Sequence, residues 1–386
     1  MRIGLIGYGL WGRHHAQAIV KAPGAALAAI ACAGAESAAA ARADFPGVQI
    51  FRGYWELLGL VDVDAVDVVV PNHLHAEIGV AALEAGKDVL LEKPMALSAA
   101  ECDRLNKAAT RRGRVLTIGH ELRLSAQWGR VKTILDQGEI GEPLYALVSL
   151  FRFPYRRGSG GWRYAAEQVG SWTLEEPVHF FDLLMWYFEH RGDPTSVMAV
   201  GSAKDRGPGM QDNFSAVIQW PGGLYGLVTH TLGGFEHHQV LEVVGREGSL
   251  RTWWSGTMDR TLHPTFELKV QRRGREACET VAIPASGELF ELEEELQQVV
   301  RGFRERRPIV SGAEARKRVI LCVEAERSLA EGREVALRFY WGGAWDSRAR
   351  EGITPVQLRA GGGYKPSRCR TWPRGQAAIL SRTRRR

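Results

Sequence analysis

The sequence predicts an α/β protein with a doubly wound parallel sheet at its N-terminus, followed by an α+β domain with a large, mostly antiparallel sheet. Three observations predict this fold class. A glycine-rich turn follows the first apolar run, strand and helix patterns alternate up to about residue 120, and longer strand-like runs follow. Alternation is typical of parallel sheets, because each crossover between parallel strands needs a helix. We expect three segments: residues 1–122, residues 123–338 and a tail at residues 339–386.

In the first segment, five strand-like runs alternate with helical patterns. The strands are predicted at residues 2–6, 25–32, 65–70, 88–91 and 115–119. The dense β-branched run at residues 66–70 is typical of a strand buried on both faces. In such sheets the ligand crevice lies at the carboxyl ends of the strands, so the turns that follow the strands are the expected binding site.

The second segment contains longer strand-like runs. They are predicted at residues 144–151, 196–203, 213–220, 223–231, 239–245, 250–254, 267–271 and 334–337. The sequence Pro221-Gly222-Gly223 between two of them is typical of a hairpin turn. Helices are predicted at residues 126–135, 178–188, 290–305 and 313–331. This pattern predicts an antiparallel sheet with helices on one face.

Composition narrows the class of protein. The chain has 386 residues, with 45% hydrophobic and 24% charged residues, which is typical of a globular protein with room for two domains. No apolar run approaches the roughly 20 residues that span a bilayer. Five scattered cysteines lack metal-binding or disulfide spacing. Because a strand begins at Arg2, we expect no signal peptide, a cytoplasmic location, no membrane contact and no bound metal.

The net charge of +6 comes from the tail. Residues 339–386 hold eleven Lys and Arg residues against two acidic ones, a net charge of +9 that leaves −3 for residues 1–338. A basic protein is ordinarily a candidate for nucleic-acid binding. Because the rest of the chain is mildly acidic, we expect no nucleic-acid partner. Two interpretations of the tail stay open: a disordered basic segment, or translation downstream of a shifted stop codon.

The turn after the first strand has the clearest chemistry. It reads G-x-G-x-x-G and enters a helix. The first glycine permits the tight turn, the second lets the backbone approach a pyrophosphate, and the third lets the helix pack closely on the strand. The free N–H groups of the helix N-terminus bind the anion. We predict a dinucleotide cofactor here, with contacts at Gly7, Gly9, Leu10, Trp11 and Gly12.

Further cofactor contacts are predicted in turns after other strands. They are Ala33, Asn72, His73, His75, Glu92 and Lys93. The second strand ends in Cys32-Ala33-Gly34-Ala35, where NAD-binding proteins place a carboxylate on the ribose hydroxyls. Without that carboxylate a 2′-phosphate is not repelled, yet no arginine follows immediately. NAD and NADP both stay open as the cofactor.

Four segments, in this order, resemble the Gfo/Idh/MocA family of glucose–fructose oxidoreductase, inositol dehydrogenase and their relatives. They are residues 7–12, Pro71-Asn72-His73-Leu74-His75, Glu92-Lys93-Pro94 and residues 175–182 (EEPVHFFD). The resemblance covers about residues 1–338. It implies a Rossmann domain, a second domain with an open antiparallel sheet, and homodimers or homotetramers formed through that sheet. It also implies hydride transfer between NAD(P) and a hydroxyl or carbonyl of a sugar, sugar acid or cyclitol.

The resemblance implies three catalytic residues. Oxidation of an alcohol needs a base for the hydroxyl proton and a cation for the developing alkoxide. Lys93 would contact both cofactor and substrate, beside a cis Lys93–Pro94 bond. His179 is the predicted general base, since its ordinary pKa lies near working pH. Glu175 lies four residues earlier, so one helix would place both on one face, where Glu175 would orient His179 or relay its protons.

Further substrate contacts are predicted from position, in addition to Lys93, Glu175 and His179. They are His120, Arg123, Trp162 and Arg163. The chain departs from the family at Glu175, which is usually Asp, and at Pro177, which is usually Gly. Ser171 and Trp172 replace a run of small glycines, which predicts a narrower or aromatic-lined pocket.

The sequence therefore predicts an NAD(P)-dependent dehydrogenase or reductase that acts on a CH–OH group of a sugar, sugar acid or cyclitol. Two alternatives stay open. One is a glycosidase that uses tightly held NAD for a transient oxidation, and the other is a non-catalytic regulator that binds dinucleotide and sugar. Retention of Lys93 and His179 favours an enzyme, whereas the change to Glu175 keeps the regulator open.

Overall fold

A computed structural model describes residues 1–203 and 210–339, and its first sheet has six parallel strands. They are β1 (Arg2–Ile6), β2 (Ala26–Ala31), β3 (Gln49–Phe51), β4 (Ala65–Val68), β5 (Asp88–Glu92) and β6 (Leu116–Gly119). Their order in the sheet is β3-β2-β1-β4-β5-β6. The winding reverses between β1 and β4, so the carboxyl ends of these two strands flank the expected ligand crevice. The predicted doubly wound sheet is confirmed. The prediction missed β3, which is too short to show a period.

Five helices lie between these strands. They are α1 (Leu10–Lys21), α2 (Ala35–Asp44), α3 (Tyr54–Leu58), α4 (His75–Glu84) and α5 (Ala99–Arg112). The hydroxyl of Ser98 accepts a hydrogen bond from the Glu101 backbone N–H and so caps α5, which ends at the left-handed Gly113. In contrast, α1 follows Gly9 and has no side-chain cap. Its first N–H groups are therefore left for another partner.

The second sheet has nine strands within the described residues. They are β7 (Pro143–Phe151), β8 (Ser196–Ser202), β9 (Asn213–Gln219), β10 (Tyr225–Thr231), β11 (His237–Gly245), β12 (Gly248–Gly256), β13 (Thr265–Arg272), β14 (Glu279–Thr280) and β15 (Val335–Ala336). The order is β14-β13-β12-β11-β7-β10-β9-β8-β15, and β7 with β10 is the parallel pair in an otherwise antiparallel sheet. β9 and β10 form the predicted hairpin, with Gly222 in the left-handed region. The mostly antiparallel sheet is thus confirmed.

The second half of the chain has six helices within the described residues, and some of them pack on this sheet. They are α6 (Trp128–Asp136), α7 (Ala166–Val169), α8 (Trp172–Glu175), α9 (Pro177–Tyr187), α10 (Glu288–Glu305) and α11 (Gly312–Glu331). The buried side chains Phe180 and Phe181 of α9 share a core with Val148 and Val228 of the sheet. α10 instead packs on α1, where Leu296 joins the core of the first sheet. The two halves of the chain are therefore packed together through α10.

Several predictions of organisation are not tested by the fold. The predicted boundary between residues 122 and 123 falls between β6 and β7, and it stays a prediction. From residue 340 onward the predicted tail lies outside the described residues. On the face of the second sheet away from α9, side chains such as Leu227 are only half-buried. The formation of homodimers or homotetramers through that sheet also stays a prediction. None of the helices described here is long and apolar enough to cross a membrane.

Candidate active site

The glycine turn between β1 and α1 has a separate geometric reason for each glycine. Gly7 has a φ of +105°, and a Cβ added there would lie 2.0 Å from the carbonyl oxygen of Val69. A Cβ on Gly12 would lie 2.2 Å from the carbonyl oxygen of Gly7. A Cβ on Gly9 would meet no heavy atom within 4 Å. Gly9 therefore faces open space in front of the uncapped N–H groups of α1, and this cradle fits the pyrophosphate of a dinucleotide.

A buried network connects this turn to the end of β5. His15 of α1 places Nδ1 2.8 Å from Asp67 Oδ2 and Nε2 3.1 Å from Glu92 Oε1, and Trp11 Nε1 donates to the same Glu92 oxygen at 2.9 Å. Burial disfavours the imidazolium, but the two carboxylates raise the pKa of His15 to about 10. Burial also opposes ionisation of Glu92, but the neighbouring imidazolium of His15 outweighs it and lowers the pKa of Glu92 to about 2. Glu92 is thus fixed by His15 and Trp11 at the end of β5. Its contact with the cofactor stays a prediction.

Lys93 follows Glu92 directly and begins a cis Lys93–Pro94 bond, as predicted. Its half-buried ammonium donates to the backbone carbonyl of Glu175 at 3.0 Å. Burial disfavours the charge, but the carboxylates of Glu175, Glu176 and Glu92 outweigh it and raise the pKa of Lys93. Lys93 is therefore a fixed cation at neutral pH.

Glu175 and His179 do not share a helix, so that prediction was wrong. α8 ends at Glu175, and α9 begins at Pro177, with Glu176 in a non-helical conformation (φ −128°) between them. The Glu175 carboxylate accepts from Arg163 Nε at 2.7 Å and from Asn72 Nδ2 at 3.2 Å. Burial raises its pKa, but the charges of Arg163 and Lys93 outweigh burial and lower it. Glu175 is thus an ionised partner of Arg163, Asn72 and Lys93.

His179 faces a different carboxyl group, one that the sequence reasoning missed. Its Nδ1 lies 3.8 Å from Glu121 Oε2, and both atoms are buried without a hydrogen-bond partner in the described structure. The ring of His120 approaches edge-on at 6.2 Å. Burial first, and then the charge of Lys93, lowers the pKa of His179 well below its usual value. His179 is therefore neutral at pH 7 and can accept a proton.

Arg123 has a different role from the predicted one. Its guanidinium donates to both oxygens of Asp182, at 2.6 and 2.7 Å, and to Glu314 Oε1 at 3.0 Å. Arg318 donates to the same Asp182 carboxylate at 2.7 Å. These groups form a buried ion cluster between α9 and α11, so Arg123 binds protein rather than facing a substrate. His120 lies beside the cluster, with Nδ1 3.8 Å from Asp182 Oδ2.

The remaining predicted residues lie around Lys93 and the ends of β2 and β4. His75 is buried, with its ring nitrogens 2.6 Å from the Pro94 carbonyl oxygen and 2.9 Å from that of Val70, so it fixes the two turns. Ala33 is exposed, and its carbonyl accepts a hydrogen bond from Arg52. The guanidinium of Arg163 stacks over Trp162 at 4.6 Å. No contact of His73 tests its predicted role, which stays a prediction.

A small cavity with a volume of about 20 Å³ adjoins His179 and is lined mainly by residues that the sequence reasoning missed. Its polar lining comprises His179, Glu121, Glu176, His237, Gln239, Asp259, Glu288 and Glu291. They come from the end of β6, the α8–α9 junction, β11, the loop after β12 and the start of α10. Apart from His179 and its neighbour Glu176, they are far apart in sequence, so no spacing pattern could have indicated them. Within residues 1–203 and 210–339, no three His, Cys, Asp or Glu side chains are grouped to hold a metal ion.

Comparison with known families identifies the family of this chain. Residues 1–120 match the oxidoreductase family with an NAD-binding Rossmann fold, and residues 128–251 match the GFO/IDH/MocA C-terminal domain. The chain belongs to this family, so the predicted family, the predicted fold and a nicotinamide dinucleotide as cofactor are confirmed.

Two enzymes and two structures illustrate the range of similar proteins. 1,5-Anhydro-D-fructose reductase of Ensifer adhaerens is 30% identical over 64% of this chain and 74% of its own length. Inositol 2-dehydrogenase 2 of Saccharopolyspora erythraea is 30% identical over 72% and 77%. Levoglucosan dehydrogenase in complex with NADH has a TM-score of 0.77 at 24% identity, over 88% and 99% of the two chains. A probable dehydrogenase from Thermotoga maritima has a TM-score of 0.73 at 22% identity, over 87% and 98%. These two structures share the fold.

Gly9→Ala and Gly12→Ala separate cofactor binding from packing. The methyl group of Gly9→Ala meets no protein atom, so the unfolding free energy is expected to change by less than about 0.5 kcal/mol. Dinucleotide affinity is expected to fall at least about tenfold, because the methyl occupies the space in front of α1. In Gly12→Ala the methyl meets the Gly7 carbonyl, and overpacking costs about 1–3 kcal/mol of stability.

Calorimetric titration with dinucleotide and denaturant unfolding measure these two effects. Gly12→Ala is the matched control, because it adds the same methyl group three residues further on, where the methyl meets the Gly7 carbonyl instead of open space. A Gly9→Ala protein that loses stability but keeps its affinity would contradict this assignment.

Proposed function

We propose that this protein is an NAD(P)-dependent oxidoreductase that interconverts a secondary hydroxyl and a carbonyl on a sugar or cyclitol. The observation that carries the proposal is the pairing of a fixed cation, Lys93, with a neutral and buried histidine, His179. An alcohol gives up its proton to a neutral base more readily when a cation stabilises the alkoxide. The names of the similar enzymes, which include an anhydrofructose reductase and an inositol dehydrogenase, support the substrate class.

Each residue of the pair has one task in this proposal. In the oxidising direction His179 accepts the hydroxyl proton, and in the reducing direction its imidazolium returns the proton. Lys93 donates hydrogen bonds to the substrate oxygen and stabilises its negative charge. Glu175 holds Lys93 through its carboxylate charge and its backbone carbonyl. The nicotinamide cofactor, held by the turn at residues 7–12 and the N–H groups of α1, supplies the acceptor or donor of the hydride.

We propose a neutral substrate in preference to a sugar acid. The lining of the cavity beside His179 contains five carboxyl side chains and neither Lys nor Arg among the described residues. Such a lining provides many acceptors for hydroxyl groups, whereas the carboxylate of a sugar acid would find no cationic side chain in it to pair with. Neutral polyols are therefore the better match, and sugar acids serve as the comparison in a substrate panel.

Lys93→Met tests the reaction. We expect turnover to fall by about 10²–10³-fold, as when one donor to a developing oxyanion is lost. Dinucleotide affinity is expected to stay within about threefold, because the glycine turn is unchanged. The measurement is the absorbance of reduced nicotinamide with NAD or NADP, over a panel of cyclitols, aldoses and sugar acids. Lys107→Met, which changes an exposed lysine of α5, is the matched control and should keep full turnover.

Unchanged turnover in Lys93→Met would remove Lys93 from the mechanism. If the wild-type protein binds dinucleotide but reduces it with no member of the panel, the dehydrogenase proposal fails. The NAD-dependent glycosidase and the regulator would then be the better explanations.

We further propose that the protein prefers NADP to NAD. The end of β2 carries no carboxylate, and the nearest one, Glu36, lies in the first turn of α2. The guanidinium of Arg52, which follows β3, reaches the carbonyl of Ala33. Burial raises the pKa of the nearby Cys32 thiol, and the charges of Arg52 and Arg42 oppose that rise. Two cations therefore lie close to the point where a 2′-phosphate would bind.

Arg52→Gln tests this preference. Wild-type protein is expected to bind NADP at least about tenfold more tightly than NAD, because a charge-assisted bond to the phosphate contributes roughly 1.4 kcal/mol. Arg52→Gln is expected to remove most of this difference and to leave NAD affinity unchanged. Calorimetric titration of both dinucleotides measures it, with the exposed Arg104→Gln on α5 as the control. Tighter binding of NAD by the wild-type protein would contradict the proposal.

A further inference from the structure

We infer that Glu121 is a substrate-binding residue, which together with His179 holds the reacting hydroxyl group of the substrate between Glu121 Oε2 and His179 Nδ1. This inference rests on the proposed function and adds a residue to its site. Glu121 begins a short 3-10 turn (Glu121–Leu124) directly after β6, and His179 lies in the first turn of α9. Two distant parts of the chain therefore bring these side chains together.

The two buried atoms do not satisfy each other. They are 3.8 Å apart, which is too long for a hydrogen bond. Both are buried, and neither has a hydrogen-bond partner among the described residues. A buried polar atom without a partner costs about 1–3 kcal/mol. An oxygen atom about 2.8 Å from each of them satisfies both with ordinary hydrogen-bond lengths.

The protonation states suit a hydroxyl group in this position. Burial raises the pKa of Glu121, and the nearby carboxylates of Glu92, Glu295 and Glu288 raise it further, whereas Lys93 opposes them. Glu121 is thus a neutral carboxylic acid that can donate a hydrogen bond. His179 is neutral and can accept one. A hydroxyl group is both a donor and an acceptor, so it can accept from Glu121 and donate to His179.

The gap between these two atoms adjoins the cavity beside His179. Glu121 and His179 both line the cavity, along with Gln239 of β11 and Glu291 of α10. Two residues along, Arg123 turns the other way and binds Asp182. In this 3-10 turn, Glu121 therefore lines the cavity and Arg123 belongs to the ion cluster. A water molecule has the same chemistry as a hydroxyl group, and the experiment has to separate the two.

Crystals of the protein, with dinucleotide bound, soaked with and without myo-inositol separate the two sources. In crystals without polyol, a water is expected between Glu121 and His179. In crystals soaked with myo-inositol, we expect one of its hydroxyl oxygens within about 3.2 Å of both atoms. A bound inositol whose oxygens avoid this position, or a water that stays there beside it, would overturn the inference. This test does not depend on turnover, so it is independent of the proposed reaction.

Two variants measure the same contact in solution. Glu121→Gln keeps a hydrogen-bond donor of equal size, so KM for the best polyol of the panel should stay within about threefold. Glu121→Leu removes the donor, so KM should rise about tenfold or more. Thermal unfolding checks that both variants are folded. An equal rise in KM for both variants, or no rise in Glu121→Leu, would overturn the inference even if the wild-type protein is an active dehydrogenase.

Discussion

The ammonium group of Lys93 is the interaction on which the rest of the site depends. It is held at the carboxyl end of β5 among the carboxylates of Glu175, Glu176 and Glu92, which keep it charged despite burial. A charge in this position has two consequences. It helps to keep Glu175 ionised, and it helps to keep His179 neutral, because two cations close together in a buried site repel each other. The position of Lys93 at the end of β5 thus contributes to the protonation states of both the cation and the base.

The fold holds this charge in place from two sides. Behind it, the protonated His15 links Glu92 to Asp67 and so joins α1, β4 and β5. In front of it, the α8–α9 junction supplies the Glu175 carbonyl, and α9 is fixed through the ion cluster of Asp182. Removing one partner of such a buried cluster costs about 3–5 kcal/mol, so these connections are strong constraints on geometry. These contacts therefore resist small movements of the two sheets relative to each other near Lys93 and His179.

The parts of the fold and site that the sequence predicted are those encoded by local patterns. The glycine turn, the buried strand at residues 66–70 and the Glu92-Lys93-Pro94 turn all follow from residues adjacent in sequence. The Glu175–His179 relation was mistaken, although Pro177 carried the signal: proline favours the first turn of a new helix, and here it begins α9. The pairing of Glu121 with His179 and of Arg123 with Asp182 depends on packing between distant segments. No periodicity in one sequence contains such information.

The central claim is that the charge of Lys93 adds to burial in lowering the pKa of His179, and a measurement of that pKa tests it most directly. An NMR titration of the labelled imidazole in wild-type protein and in Lys93→Met measures this pKa. We predict a value well below the ordinary 6.5 in the wild-type protein. In Lys93→Met the pKa should rise yet stay below the ordinary value, because burial remains. An ordinary pKa in the wild-type protein, or no change in Lys93→Met, would contradict the account.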